Sequence, residues 1–349
     1  MRSEIAMSVA AGVAMTGWSD LSHAQSSQTL FRQLNDFRLF AVRRHTDIQG
    51  VESVFDDYRK NWLRRQHSGI RLGDTGNSPD DTPVCGDSSL GGYAPDRVTS
   101  CGSGHVTRAF STGLHARDRK DGADIRETGG MSYLGYEYLV SNNFFLGLGA
   151  SGLGSSINNR AGQGLKADVT EVAGHMLGGY RINDNNMLAW NLTFVHSAHD
   201  VTRGGNITSK FDTNSVFLNG VWFTNVGLTK TAYVSFGLDY TLQLTFGEDI
   251  IESNGATQGR FPRVRDQWQG DFTGSALFVQ PLDKAELFAR IGVTWRALNP
   301  PSRSVDVPID VGASMRITDN LAFVGSVGST YLFSDYAEVR GTARVIGRF

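Results

Sequence analysis

The sequence predicts an all-β fold: a transmembrane antiparallel β-barrel of about twelve strands, preceded by a signal peptide and a short amino-terminal segment of helix and loop. Three observations predict it. Apolar and polar residues alternate over unusually long runs in the carboxy-terminal two thirds. Short turns alternate with longer polar loops between those runs. The composition combines 41 glycines with 19% charged and 40% hydrophobic residues in a chain of 349, too polar for a bundle of membrane helices and suited to strands with one apolar face.

The amino terminus reads as a secretion signal over residues 1–24. Arg2 stands in front of an apolar stretch from Ile5 to Trp18, and Ser22-His23-Ala24 supplies small residues before a cleavage between Ala24 and Gln25. No later stretch reaches the ~18 uninterrupted apolar residues of a membrane helix. Once exported, such a chain is either soluble or a barrel.

Residues 25–104 form a separate unit. Leu30, Phe31, Leu34, Phe37, Phe40 and Ala41 recur at helical spacing and predict one amphipathic helix, with a second around Val51 to Leu63. From Gly73 onward Gly, Pro, Ser and Asp predominate, which is loop chemistry. Cys85 and Cys101 lie in this stretch. In an oxidising compartment they are expected to close one disulfide loop, worth roughly 3 kcal/mol if chain entropy is the main term. Metal binding would need more ligands, and no cofactor is expected.

The barrel is placed at 105–349. From Ala232 to Phe246 every even position is apolar, while the odd positions include Ser235, Asp239, Thr241, Gln243 and Thr245. The same pattern runs through Leu287, Ala289, Ile291, Val293 and Trp295, and again from Val305 to Ile317. Alternation this long exceeds the usual soluble strand of about five or six residues, so one face is assigned to hydrocarbon and the other to water. Short turns are expected at Ser141-Asn142-Asn143, Asn183 to Asn186, Val226 to Thr229, Asp283-Lys284 and Thr318-Asp319-Asn320. Longer loops are expected near Asp118 to Glu127, Asn158 to Leu165, Arg203 to Ile207, Glu248 to Arg263 and Asn299 to Ser304. A further connection at Ser334-Asp335 is short. Both ends of the barrel would then face the periplasm.

In the last strand Val339, Gly341, Ala343, Val345, Gly347 and Phe349 share the apolar face, opposite Arg340, Thr342, Arg344 and Arg348. This strand resembles the assembly signal of bacterial outer-membrane proteins, with Val345, Gly347 and Phe349 in the signal positions. The span 105–349 is similar to the translocator domain of autotransporters, in strand number, in length and in stretches such as Gly129-Gly130-Met131-Ser132-Tyr133-Leu134-Gly135-Tyr136. The resemblance implies a location in the cell outer membrane, with outer-membrane lipid and the barrel-insertion machinery as partners. It also implies a helical segment in the lumen and an exported passenger. Only residues 25–104 lie before the barrel and they hold no solenoid repeat, so the passenger is short, or else the protein is a passive pore for small solutes.

Other motifs carry less. Gly147-Leu148-Gly149-Ala150-Ser151-Gly152 matches a dinucleotide fingerprint, but strand and loop follow where a helix is required. Gly86-Asp87-Ser88, with His45 or His67 as a base, lacks the rigid scaffold of a nucleophile site. His196 suggests a lipid-modifying barrel enzyme, yet Ser197 points to the other face and Ala198 shares the face of His196. The chain is therefore expected not to be an enzyme. The net charge of -2 gives nucleic acid no purchase. Glu137, Glu171, Glu286, Arg290, Arg296, Arg316, Arg340, Arg344 and Arg348 are expected to line the lumen, as a salt-bridged interior or as a track for the helix or for anions. Tyr136, Tyr138, Trp190, Trp222, Trp268 and Trp295 are candidates for interface girdles.

Overall fold

The computed structural model describes residues 105–118, 124–141, 144–160, 165–183, 186–204, 207–228, 232–247, 249–253, 258–261, 267–282, 285–298, 305–318, 321–331 and 336–348. The signal peptide with its Ala24/Gln25 cleavage site, the amphipathic helix, Cys85, Cys101 and the terminal Phe349 lie outside the described residues.

Fourteen strands form a single antiparallel sheet, and setting aside one hairpin leaves twelve that close into a ring. In chain order these are β1 (His105–Asp118), β2 (Ile125–Ser141), β3 (Phe144–Asn159), β4 (Leu165–Arg181), β5 (Asn186–Arg203), β6 (Ile207–Gly227) and β7 (Tyr233–Gly247). The hairpin β8 (Ile250–Ser253) and β9 (Gln258–Phe261) follows, then β10 (Gln267–Pro281), β11 (Ala285–Leu298), β12 (Val305–Thr318), β13 (Leu321–Tyr331) and β14 (Tyr336–Arg348). Each stave pairs with its sequence neighbour. The ring closes where β1 meets β14, from Val106 opposite Arg348 to Asp118 opposite Tyr336. The start of β1 and the end of β14 therefore share one rim, which also carries the connections 142–143, 182–185, 228–232, 282–284 and 319–320.

The tight turns owe their geometry to residues that accept it. Ile182 N–H donates to Asn186 O at 3.0 Å, and the Asn183 side chain accepts from Asn186 N–H at 2.9 Å, an Asx-type closure. Leu228 N–H donates to Ala232 O at 3.0 Å and Leu282 N–H to Ala285 O at 2.7 Å.

The stretch expected as one long loop after β7 instead contains β8 and β9. Beyond the end of β7, β6 continues upward and takes β8 as its partner, with Ser209 opposite Glu252 and Lys210 opposite Ile251. An unpaired extension of β6 would leave its backbone groups open on one side, and the hairpin fills that side. The apolar pair Ile250-Ile251 at the start of a polar stretch was the local signal for it.

The burial pattern is the reverse of a soluble sheet. On β7, Leu238 is 53% exposed, whereas Thr241 is 4% exposed. On β12, Val311 is 54% exposed and Ser314 1%. Large apolar side chains cover the outside all round, and hydroxyls, amides and carboxylates are turned inward. In water such a surface would be strongly unfavourable; in hydrocarbon it is what a barrel with all backbone groups paired requires. Tyr136, Tyr138 and Trp222 stand exposed toward the short-turn rim, with Trp190 half-buried near them, and Trp268 and Trp295 stand exposed toward the other. The Trp295 ring stacks on Phe272 with centroids 6.3 Å apart.

Glycine provides room for aromatic rings on the wall. The inward-facing Tyr133 lies across Gly135 and Gly149, so that a Cβ on Gly149 would fall 2.5 Å from its hydroxyl oxygen. Outside, the Tyr240 ring covers Gly220 in the same way. The dinucleotide-like glycines are thus strand positions, and Gly149 has a packing reason to be glycine.

Two outcomes test this arrangement. Arginine at Leu238 or Val311 should cost roughly 2–4 kcal/mol, and arginine at Thr241 or Ser314 far less, measured by denaturant unfolding in lipid vesicles; equal costs at all four would contradict the assigned faces. Gly149→Val should destabilise by about 1–3 kcal/mol through overpacking, and most of that cost should vanish in a Tyr133→Ala background. Additive effects in that double-mutant cycle would show that the ring does not lie on the glycine.

Candidate functional site

The interior of the ring is a surface to which every stave contributes, and it mixes apolar and polar side chains along its whole height. Toward the short-turn rim Phe145, Leu177, Met187, Phe223, Tyr233 and Val279 are buried and face inward. Toward the opposite rim Ile125, Ile157, Leu165, Val201, Phe211 and Ile250 do the same. A polar belt lies between them, interrupted by the buried Met131, Tyr133, Leu153, Val195 and Phe217, and buried polar groups also reach both rims, as at Asn225 and Ser235 on one and Ser209 and Glu252 on the other. One of its rows runs in register across four strands through Asn191, Asn219, Thr241 and Asp271.

Side chains in the belt are tied mostly to one another. His175 Nε2 lies 2.8 Å from Ser151 Oγ, and its Nδ1 lies 3.0 Å from Thr193 Oγ1. The edge of the Tyr133 ring meets the imidazole with centroids 5.4 Å apart. His199 Nε2 is 3.0 Å from Thr213 Oγ1, with the ring stacked on Phe211. Asn219 Nδ2 donates to Thr241 Oγ1 at 2.6 Å, and Gln243 Nε2 donates to Thr245 Oγ1 at 3.0 Å. Buried carboxylates are held by hydroxyl donors: Ser197 to Glu171 at 2.9 Å, Ser209 to Glu252 at 3.2 Å and Ser314 to Glu286 at 3.1 Å.

The expected lumen charges can now be located. Glu137, Glu171 and Glu286 are buried on inward-facing positions, and Arg290 reaches Asp239 at 3.4 Å. The backbone of β14 pairs Arg340 with Leu114 and Arg344 with Phe110. The side chains of Arg296, Arg316, Arg340, Arg344 and Arg348 lie outside the described residues. Sequence reasoning missed Glu127 and Asp271, both buried and inward; Asp306, on the polar face of the Val305 to Ile317 run, is buried and inward as well. Their parity within the alternating runs was a signal that could have found them.

His196 sits outside the ring, exposed, with Nδ1 3.0 Å from Asn214 Oδ1 and Nε2 3.9 Å from Asp212. Above it on the outer wall Lys166 pairs with Asp168 at 2.9 Å and Lys210 with Asp200 at 3.2 Å. These charges mark where β4 to β6 rise out of the apolar zone. Ser197 faces the lumen, so His196 and Ser197 are not brought together. Among the described residues no group of His, Cys, Asp and Glu side chains has metal-ligating geometry.

At the long-loop rim a charge cluster fastens β1, β2 and β3. Arg117 Nε and Nη2 donate to the two carboxylate oxygens of Asp124 at 2.8 and 3.1 Å, and Arg126 approaches at 3.5 Å. Arg160 N–H donates to Asp124 O at 3.0 Å. The hydrogen bond from Arg117, aided by the charges of both arginines, holds the Asp124 carboxyl below the usual carboxylate range against a smaller opposing effect of desolvation.

No protein-family model matches the chain, and no curated protein sequence matches it. Solved structures do resemble it. The translocator domain of autotransporter NalP from Neisseria meningitidis superposes with a TM-score of 0.62 at 15% identity, covering 73% of this chain and 92% of that one. The fold is that of an autotransporter translocator domain. The β domain of the Bordetella autotransporter BrkA gives 0.55 at 13% identity, over 70% of this chain and all of the other. The transport unit of AIDA-I from Escherichia coli gives 0.53 at 11% identity, over 83% of this chain and 99% of that one.

Because the folded Asp124 carboxyl is more acidic than an ordinary one, its contribution is complete at neutral pH and is lost only as pH falls through the lowered value. Trypsin should therefore cut after Arg119 or Lys120 several-fold faster in Asp124→Asn than in wild type at neutral pH. Equal cleavage rates would remove the cluster as a fastener of this loop.

Proposed function

We propose that this chain is an autotransporter-like translocator of the bacterial outer membrane, whose barrel anchors the short segment 25–104 and carries it to or displays it at the cell surface. The observation that carries this reading is the position of His105. It opens β1 at the short-turn rim, beside the end of β14, so the preceding segment joins the barrel at the mouth assigned to the periplasm. A closed ring leaves its lumen as the route from that mouth to the opposite rim.

The mixed interior supports the same reading. Its buried apolar side chains offer purchase to the apolar stripe expected of residues 30–41, and its polar groups offer hydrogen bonds. Lipid contacts the outer wall, and the barrel-insertion machinery is the partner expected for assembly. The reading includes no catalytic step, since the histidine and serine of the enzyme alternative face opposite sides of β5.

The mutually bonded hydroxyls and carboxylates of the belt favour a second reading, a passive pore for small solutes, because they make a hydrated wall. The two separate by experiment. Protease, or a thiol label after reduction, applied to intact cells should reach residues 73–104, including Cys85 and Cys101; complete protection there would count against display. In planar bilayers, deletion of residues 25–70 should raise conductance. A steady conductance unaffected by that deletion would favour the pore.

A further inference from the structure

A distinct line of polar groups runs up one side of the lumen. Asn225 and Ser235 face each other across β6 and β7 at the short-turn rim, and Asn191 and Gln243 lie near mid-barrel on β5 and β7. All four are buried, with Asn191 and Ser235 fully so. Among the described residues, both amide atoms of Asn191, the amide oxygens of Asn225 and Gln243, and the Ser235 hydroxyl have no hydrogen-bond partner. A further such neutral group, Ser155 Oγ, lies on β3. Buried polar groups are ordinarily bonded. A file of exceptions along one sector therefore points to a ligand that supplies what they lack.

The chemistry and spacing define that ligand. The groups are neutral and offer both donors and acceptors, which matches a peptide backbone and not an ion. Inward side chains on a strand recur every two residues, and an extended polypeptide lying along the strand presents its own N–H and C=O groups at that same repeat. From Ser235 to Gln243 the file is about 27 Å long at ~3.4 Å per residue. The segment joined to β1 at this mouth, residues 73–104, is rich in Gly, Ser, Asp and Pro, a composition that disfavours helix and tolerates extended backbone. It is long enough to run the length of the file.

We propose that Asn191, Asn225, Ser235 and Gln243 form a backbone-binding track that holds residues 73–104 of this chain extended along the β5–β7 sector of the lumen. The proposal rests on the translocator reading and specifies which wall the passing chain uses and in what conformation. Recognition through backbone groups makes the track indifferent to the side chains that pass.

The test uses the full chain in intact cells, with a photo-crosslinking amino acid placed singly at Ser235 or Gln243 on the track and at Ser314 or Thr330 on the far wall. Crosslinks to residues 73–104 are expected from the first pair and at least several-fold less from the second. The double variant Asn191→Leu/Gln243→Leu should lower the surface-exposed fraction of the segment several-fold while the barrel keeps its heat-sensitive electrophoretic shift. Crosslinks from the far wall, crosslinks equal on both sides, or none at all would overturn the track. Protease accessibility in the same cells separates the two ideas, because a segment that reaches the surface without touching β5–β7 leaves the translocator standing and removes only the track. Blockage of current by a neutral oligosaccharide, lost in the double variant and with no crosslink to the segment, would reassign the track to carbohydrate.

Discussion

Everything in this molecule follows from the need to pair backbone N–H and C=O groups where water is absent. An unpaired amide in hydrocarbon costs several kcal/mol, so a sheet with two free edges has no stable place there. The pairing of β1 with β14 removes both edges at once. It also fixes which rim holds the start of β1 and the end of β14, because twelve staves, an even number, bring the chain back to the side from which the barrel started. The β8–β9 hairpin obeys the same constraint locally, by pairing the part of β6 that outruns β7.

Closure turns the ordinary rule of burial inside out. The outer wall gains nothing by being polar, so leucine, valine and aromatic residues occupy it. Many polar groups of the inner wall are satisfied through short side-chain bonds between neighbouring strands, such as Ser215 to Thr245 at 2.8 Å and Thr273 to Thr294 at 2.8 Å. Cross-strand pairs of this kind also hold register. Where a large ring must lie flat against the wall, as at Tyr133 or Tyr240, the neighbouring position is glycine. The abundance of glycine in the composition is thus partly a packing requirement.

The same geometry links structure to the proposed transport. A lumen that carries both apolar and polar side chains along its height is suited to a chain with an apolar stripe at one stage of passage and extended backbone at another. Fully charged walls would bind specific side chains and hold them; on the proposed track, neutral groups along β5–β7 would engage backbone instead. The charged residues on the outer face of β4 to β6 serve a different end, since they keep the projecting part of the wall in water.

The sequence alone determined the class of fold, because two-residue alternation over ten or more positions in β7, β11 and β12 has few physical meanings other than a wall between lipid and water. It also determined which faces of those strands point outward, as Leu238 and Val311 against Thr241 and Ser314 show. It did not determine the face where both parities are apolar. In β6, Val216, Phe217 and Leu218 are consecutive, and only the closed ring sends Phe217 inward while Leu218 stays exposed. Nor could it find the belt partners of His175 or the file from Asn225 to Gln243, since Ser151, His175 and Thr193 lie on three strands and meet only through register. Local periodicity is written in one strand at a time; which side chains face each other is decided by the alignment of neighbours and by the curvature that closes them.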